Sequence, residues 1–139
     1  MKISARNQIT ANIAEIKAGI VNVQILLQSK KGSELTSVIT HTSAESMNLV
    51  NGDEVIAFFK ASHVMISTGY LYGISARNQL EGIISEVIKG VVNTEVILTL
   101  QGGEQIVSII TNDSAEGLGL IPGQKVIAII KSTDIMIAK

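Results

Sequence analysis

The chain contains no cysteine and no tryptophan, one proline (Pro122) and only two arginines (Arg6 and Arg77). Without cysteine there can be no disulfide and no thiolate metal site. Four aromatic rings are present, Phe58, Phe59, Tyr70 and Tyr72. That is too few for the stacking platforms that hold single-stranded nucleic acid. Eleven basic and twelve acidic side chains leave a formal charge of −1, so no global field draws the chain to nucleic acid or to a membrane surface. Apolar runs such as "VIAFF" fall far short of the ~18 residues a membrane helix needs. "MKISARNQIT" lacks the apolar centre of a signal peptide. A soluble, cytoplasmic protein with neither a nucleic-acid nor a membrane partner is expected.

What is present is a repeat. Ile3 to Thr68 aligns without a gap on Ile74 to Lys139, and about two-fifths of the 66 aligned pairs are identical. The hexapeptide "ISARNQ" opens both copies and carries both arginines. The expected organisation is one module at 1–68, a linker at 69–73 and a second module at 74–139. Hydrophobic residues make up 46% of the chain. Two small modules have little interior to hold so many, so partner subunits are expected to cover part of the apolar surface.

Each copy reads mostly as strand. First strands are expected near 8–17 and 79–88, and second strands at 22–28 and 93–99. In "NVQILLQ" Val23, Ile25 and Leu27 share one face. "KKGS" and "QGGE" read as hairpin turns, and "VIAFFK" and "VIAIIK" as buried strands. A short helix is expected at 42–49 and at 113–120, capped by Thr42 or Asp113 with Glu45 or Glu116 three residues on. Gly52, Gly119 and Pro122 would end it. Five short strands with one short helix between the third and fourth predict an all-β chain: two tandem five-stranded barrels of the oligonucleotide/oligosaccharide-binding (OB) type.

Polar identities shared by the copies are harder to explain by packing than shared Ile or Val. They include Ser4/Ser75, Arg6/Arg77, Asn7/Asn78, Ser37/Ser108, Thr40/Thr111, Ser43/Ser114 and Lys60/Lys131. Arg offers a planar fork of donors, Lys a compact charge and Ser/Thr hydroxyl donors. Ser43 and Ser114 fall in the first turn of the expected helix, where the N–H groups of Ser43 and Ala44, or Ser114 and Ala115, would be free. Together these groups suit a compact, doubly charged tetrahedral oxyanion. Taken singly they have plainer explanations. Arg6 could pair with Glu15 or Glu45 at the surface, Lys60 could be a solvated strand end and Ser43 a helix-start residue. His41 and His63 become Asn112 and Asp134 in the second copy, so no duplicated metal site or catalytic triad is expected. "GLGLIPGQK" lacks the spacing of a phosphate-binding loop.

The order "SARNQ", "GVVN", "TSVIT" or "VSIITNDSAE", then "VIAIIKSTDIMI" resembles the Mop domain of the molbindins. The resemblance covers the whole chain as two domains in tandem. It implies OB-type barrels that bind molybdate, and usually tungstate, between domains or subunits, within a homotrimer and without a cofactor. It is a resemblance to a binding and storage protein rather than an enzyme; the alternative is a module reporting molybdate status to a partner protein. By position it implies the ligand groups Ser4, Ala5, Arg6, Thr40, Ser43, Ala44, Lys60 and Ala61 in the first copy. In the second it implies Ser75, Ala76, Arg77, Thr111, Ser114, Ala115, Lys131 and Ser132. The alanines would act through backbone N–H groups, and no metal ion would be ligated directly. A second class of site on a symmetry axis is implied near Val21–Asn22 and Val92–Asn93.

Overall fold

The computed structural model describes residues 1–139. The first half runs β1 (Asn7–Ala18), β2 (Asn22–Ser29), β3 (Glu34–Thr40), α1 (His41–Ser46), β4 (Glu54–Phe59) and β5 (Met65–Ser67). The second half repeats it as β6 (Asn78–Lys89), β7 (Asn93–Leu100), β8 (Gln105–Thr111), α2 (Asn112–Leu118), β9 (Lys125–Ile130) and β10 (Met136–Ala138). A single 3-10 turn, Ala61–His63 or Ser132–Asp134, precedes each last strand.

The strands form two five-stranded antiparallel sheets, β10-β4-β1-β2-β3 and β5-β9-β6-β7-β8. The expected all-β architecture of two OB-type barrels is what the chain adopts. β1 serves both sides of its barrel: its first half pairs with β4 and its second half with β2. A bulge between Ile13 and Glu15, repeated between Ile84 and Glu86, lets each long strand bend through that change of partner. The alternation read in the second strand holds, with Val23, Ile25 and Leu27 buried.

The last strands change places. β10 pairs with β4 of the first half, and β5 with β9 of the second. The sequence repeat and the barrel are therefore different partitions of the chain. The exchange is bolted by polar side chains on inward-facing positions. Ser37 Oγ donates to the carbonyl of Ile135, just before β10, and Ser108 Oγ donates to that of Val64, just before β5. One cluster of 23 buried residues runs through both barrels, from Ile9 and Phe59 to Ile130 and Ile137.

The asparagines of the duplicated hexapeptide reinforce the exchange. Asn7 Nδ2 donates to the Val107 carbonyl at 2.9 Å, and its Oδ1 accepts from the Val107 N–H at 2.8 Å. Asn78 Oδ1 accepts from Thr36 N–H at 2.7 Å, while its Nδ2 donates to the carbonyls of Thr36 and Ile130. Each amide thus mimics a peptide unit and satisfies one residue of the other half's edge strand. Both are almost fully buried. Near the same approximate twofold, the hairpin tips cross so closely that a Cβ on Gly102 would lie 2.3 Å from the Lys31 carbonyl oxygen. Only glycine fits there.

The helices begin one residue earlier than expected, and their N-caps lie two residues earlier. Thr40 and Thr111, not Thr42 and Asp113, are the N-caps, each accepting from the N–H three residues on. Strand geometry persists to these threonines and turns directly into helix, so the capping position falls at the strand end. α2 stops at Gly119 in the left-handed region (φ 62), as expected. The equivalent left-handed position after α1 is Asn48 (φ 49), one of the few side chains that tolerate it.

Replacing Asn78 by Ala removes three hydrogen bonds, one buried and two part-buried, and strands the polar groups of Thr36. We expect a loss of about 2–3 kcal/mol and a slightly smaller loss for Asn7→Ala. In urea titration the midpoint should fall with little change in slope; an unshifted midpoint for both would mean that these amides do not hold the exchange together.

Candidate functional site

The β1–β4 register pairs Asn7 with Phe59, so Ser4–Arg6 and Lys60–Ala61 leave the ladder side by side. In the second half Asn78 pairs with Ile130, which puts Ser75–Arg77 beside Lys131–Ser132. The third segment does not join them within the same barrel. Thr40 pairs with Asn22 beyond the other end of β1, roughly 30–40 Å away along the strand.

The exchange brings the equivalent segment in from the other half. Asn7 is fixed to Val107 on β8. Arg6 reaches Glu95, which stands opposite Ile109 on that strand. The turn after Lys60 packs on β8 as well, through Ser108 and Val64. Thr111 ends β8 two residues beyond Ile109, about 7 Å further along. Arg6, with Ser4 and Lys60 beside it, is therefore directed toward the end of β8 that carries Thr111 and Ser114; Asn78 fixes Ser75, Arg77 and Lys131 in the same way to β3, four residues before Thr40.

Arg77, Lys60 and Lys131 are exposed and make no ion pair, although the chain carries more acidic than basic groups. Arg6 meets neither Glu15 nor Glu45; its Nη2 lies 2.6 Å from Glu95 Oε1. Nothing in the repeat flagged Glu95, because its counterpart is Gln24.

The hydroxyls are arranged more specifically than expected. Thr40 Oγ1 accepts from the Ser43 N–H and donates to Ser43 Oγ at 2.8 Å. Thr111 and Ser114 do the same. The Ser43 and Ser114 N–H groups are thus spent on capping, and those of Ala44 and Ala115 make the first helical bonds, to the Thr40 and Thr111 carbonyls; none of the four is free, which corrects the sequence reading. What remains is the hydroxyl proton of each serine, polarised by the bond it accepts. Ser4 and Ser75 are exposed. Ala5, Ala61 and Ala115 are buried, and Ala44, Ala76 and Ser132 are half-buried.

Other features sit apart. A groove of about 450 Å³ between α1 and the end of β1, lined by residues such as Ile16, Val23, Leu49 and Glu45, offers an anion few donors. His41 bonds the Gly19 carbonyl and Glu45. Half-exposed His63 faces its own counterpart Asp134 at 3.8 Å across the approximate twofold. No helix is long and apolar enough to cross a membrane.

The TOBE domain model matches residues 3–66 and 74–137. A solved structure of the cytoplasmic molybdate-binding protein ModG, with molybdate bound, superposes with a TM-score of 0.96 at 40% identity over 99% of both chains. Molybdenum transport protein ModE of Azotobacter vinelandii is 38% identical over 99% of this chain and 51% of its own length. Molybdenum-pterin-binding protein MopA of Rhodobacter capsulatus is 41% identical over 99% of this chain and 52% of its own. The chain spans about half the length of these two curated relatives. It belongs to the TOBE-domain family, with two domains in tandem, consistent with a two-domain molbindin.

The two helices differ in electrostatic setting. Glu116, expected in a capping box, instead accepts from Lys89 Nζ at 2.9 Å. That hydrogen bond and the Lys89 charge hold the Glu116 carboxyl below its ordinary range and raise Lys89. A carboxyl lowered in the folded state stabilises above its unfolded pKa and ceases to do so as pH falls through the folded value. Glu116→Gln should therefore melt slightly below the native chain at pH 7. The gap should close below about pH 4, as followed by circular dichroism. A gap that widens on acidification contradicts the pairing.

Proposed function

We propose that this tandem TOBE-domain chain binds molybdate, and tungstate by the same chemistry, as a cytoplasmic storage and buffering protein rather than an enzyme. The repeats at 1–68 and 74–139, joined by 69–73, are its units of duplication. The observation that carries the reading is that Arg77, Lys60 and Lys131 stand exposed and without a carboxylate partner beside serine and threonine hydroxyls in a chain of net charge −1. The likeness to a molybdate-bound relative along the whole chain supports it.

Binding replaces the anion's water shell with charge-assisted hydrogen bonds and breaks no covalent bond. The ligand set is Ser4, Arg6, Lys60 and the Ala5 and Ala61 N–H groups with the Ser114 hydroxyl, which Thr111 orients, and its twofold mate is Ser75, Arg77, Lys131, Ser132 and the Ala76 N–H with the Ser43 hydroxyl, which Thr40 orients. Each site then draws on both repeats, and ligand binding stabilises the exchanged fold by linkage. Assembly into a homotrimer is supported by the bare hairpin tips, where Ile20 is 97% and Val91 99% exposed.

A second reading, a module that reports molybdate status to a partner protein, is favoured by the match to about half the length of ModE. A pull-down from lysate with and without molybdate separates the two. Only a partner whose capture depends on molybdate supports reporting.

The triple variant Arg6→Ala, Arg77→Ala, Glu95→Gln, which leaves no stranded carboxylate, should bind sodium molybdate at least about a hundredfold more weakly in calorimetry while keeping its melting temperature within a few degrees. Unchanged affinity and stoichiometry would sink this ligand assignment.

A further inference from the structure

Resting on the oxyanion reading above, we propose that the two repeat-related sites of one chain are unequal, and that Glu95 sets the difference as a built-in counter-anion competing with the ligand for Arg6.

The sites also differ at Ala61 against Ser132 and at Asp113 against Thr42, but Glu95 against Gln24 is the difference that touches an arginine. Glu95 sits on the outer face of β7, flanked across the ladder by Ile88 and Ile109. Its side chain is 22% exposed. Its Oε1 is shielded from solvent and has no hydrogen-bond partner; the 2.6 Å approach of Arg6 is an ion contact without hydrogen-bond alignment. The Arg6 charge is thus what compensates a half-desolvated carboxylate among apolar neighbours. Drawing the guanidinium onto another anion leaves that carboxylate uncompensated. Leaving it in place sets a doubly charged ligand against a fixed negative charge. Either way the ligand meets a cost at Arg6.

At the corresponding place on β2 stands Gln24, which is neutral. Its cross-strand neighbours are Lys17 and Val38. Arg77 has no ion pair, so an anion there displaces nothing and meets a neutral amide where the other site has a carboxylate. The opposite role for Glu95, holding Arg6 in a productive pose, predicts the opposite sign for its removal, and this makes the inference testable.

The measurement is calorimetry with sodium molybdate on full-length chains, with a melting curve for each variant. Arg77→Ala isolates the Arg6 site. Arg6→Ala combined with Glu95→Gln isolates the Arg77 site and leaves no stranded carboxylate. The Arg6 site should bind at least about tenfold more weakly than the Arg77 site. Adding Glu95→Gln to Arg77→Ala should recover most of that difference, and adding Gln24→Glu to the other background should impose a loss of similar size. Equal affinities at the two isolated sites, or weaker binding when Glu95→Gln joins Arg77→Ala, overturns the inference while the native chain still binds. A native chain that takes up no molybdate sinks the functional reading, and the inequality with it.

Discussion

Neither repeat closes its own barrel. After β4 the chain makes a 3-10 turn and hands its last strand to the other sheet, and every other cross-repeat feature follows from that transfer. A three-residue strand contributes few ladder bonds, so it needs other anchors. Ser37 and Ser108 hold the carbonyls at its entrance, and Asn7 and Asn78 dress the edge that β3 and β8 would otherwise expose. The apolar core then has no seam at which the halves could part without opening both.

The same transfer makes the candidate site composite. Within one barrel the arginine and the capping threonine lie at opposite ends of a long bent strand. Between barrels they become neighbours, because Asn7 pins its own hexapeptide to β8. The two conspicuous residues of "SARNQ" thus divide the work: the asparagine is structural and the arginine faces outward. The chain pairs most of its other cations with carboxylates, as in Lys30–Glu54, Lys125–Glu81 and Lys139–Asp53. Arg77, Lys60 and Lys131 have no such partner.

Much of this was legible beforehand. The gapless repeat, the alternation of Val23, Ile25 and Leu27 and the glycine after the second helix fixed the number and kind of elements. The exchange was not legible, because Met65–Ser67 and Met136–Ala138 satisfy a strand pattern equally well in either sheet. The helix starts were misread because Thr40, Thr42 and Ser43 are all good capping residues, and local chemistry alone does not rank them. Ser37 was the available clue to cross-repeat bonding, since a hydroxyl on the inward face of a strand requires a partner. Glu95 gave no such clue, because its partner Arg6 lies far away in sequence and its counterpart is an amide.

The linker at 69–73 has a consequence of its own. It joins β5 to β6, and both belong to the same sheet. It is therefore an ordinary surface connection within one barrel, and the geometry between barrels does not depend on its length. A single module trading its last strand with a second copy would make the same pair of barrels at the expense of dilution. Covalent joining raises the effective concentration of the partner to the millimolar range or above, so pairing no longer needs two identical chains to meet. Once the halves are certain to find each other, they are released from being identical. A neutral amide at position 24 opposite a carboxylate at position 95 is the kind of divergence that a self-pairing module, bearing one residue at both places, has no means to encode.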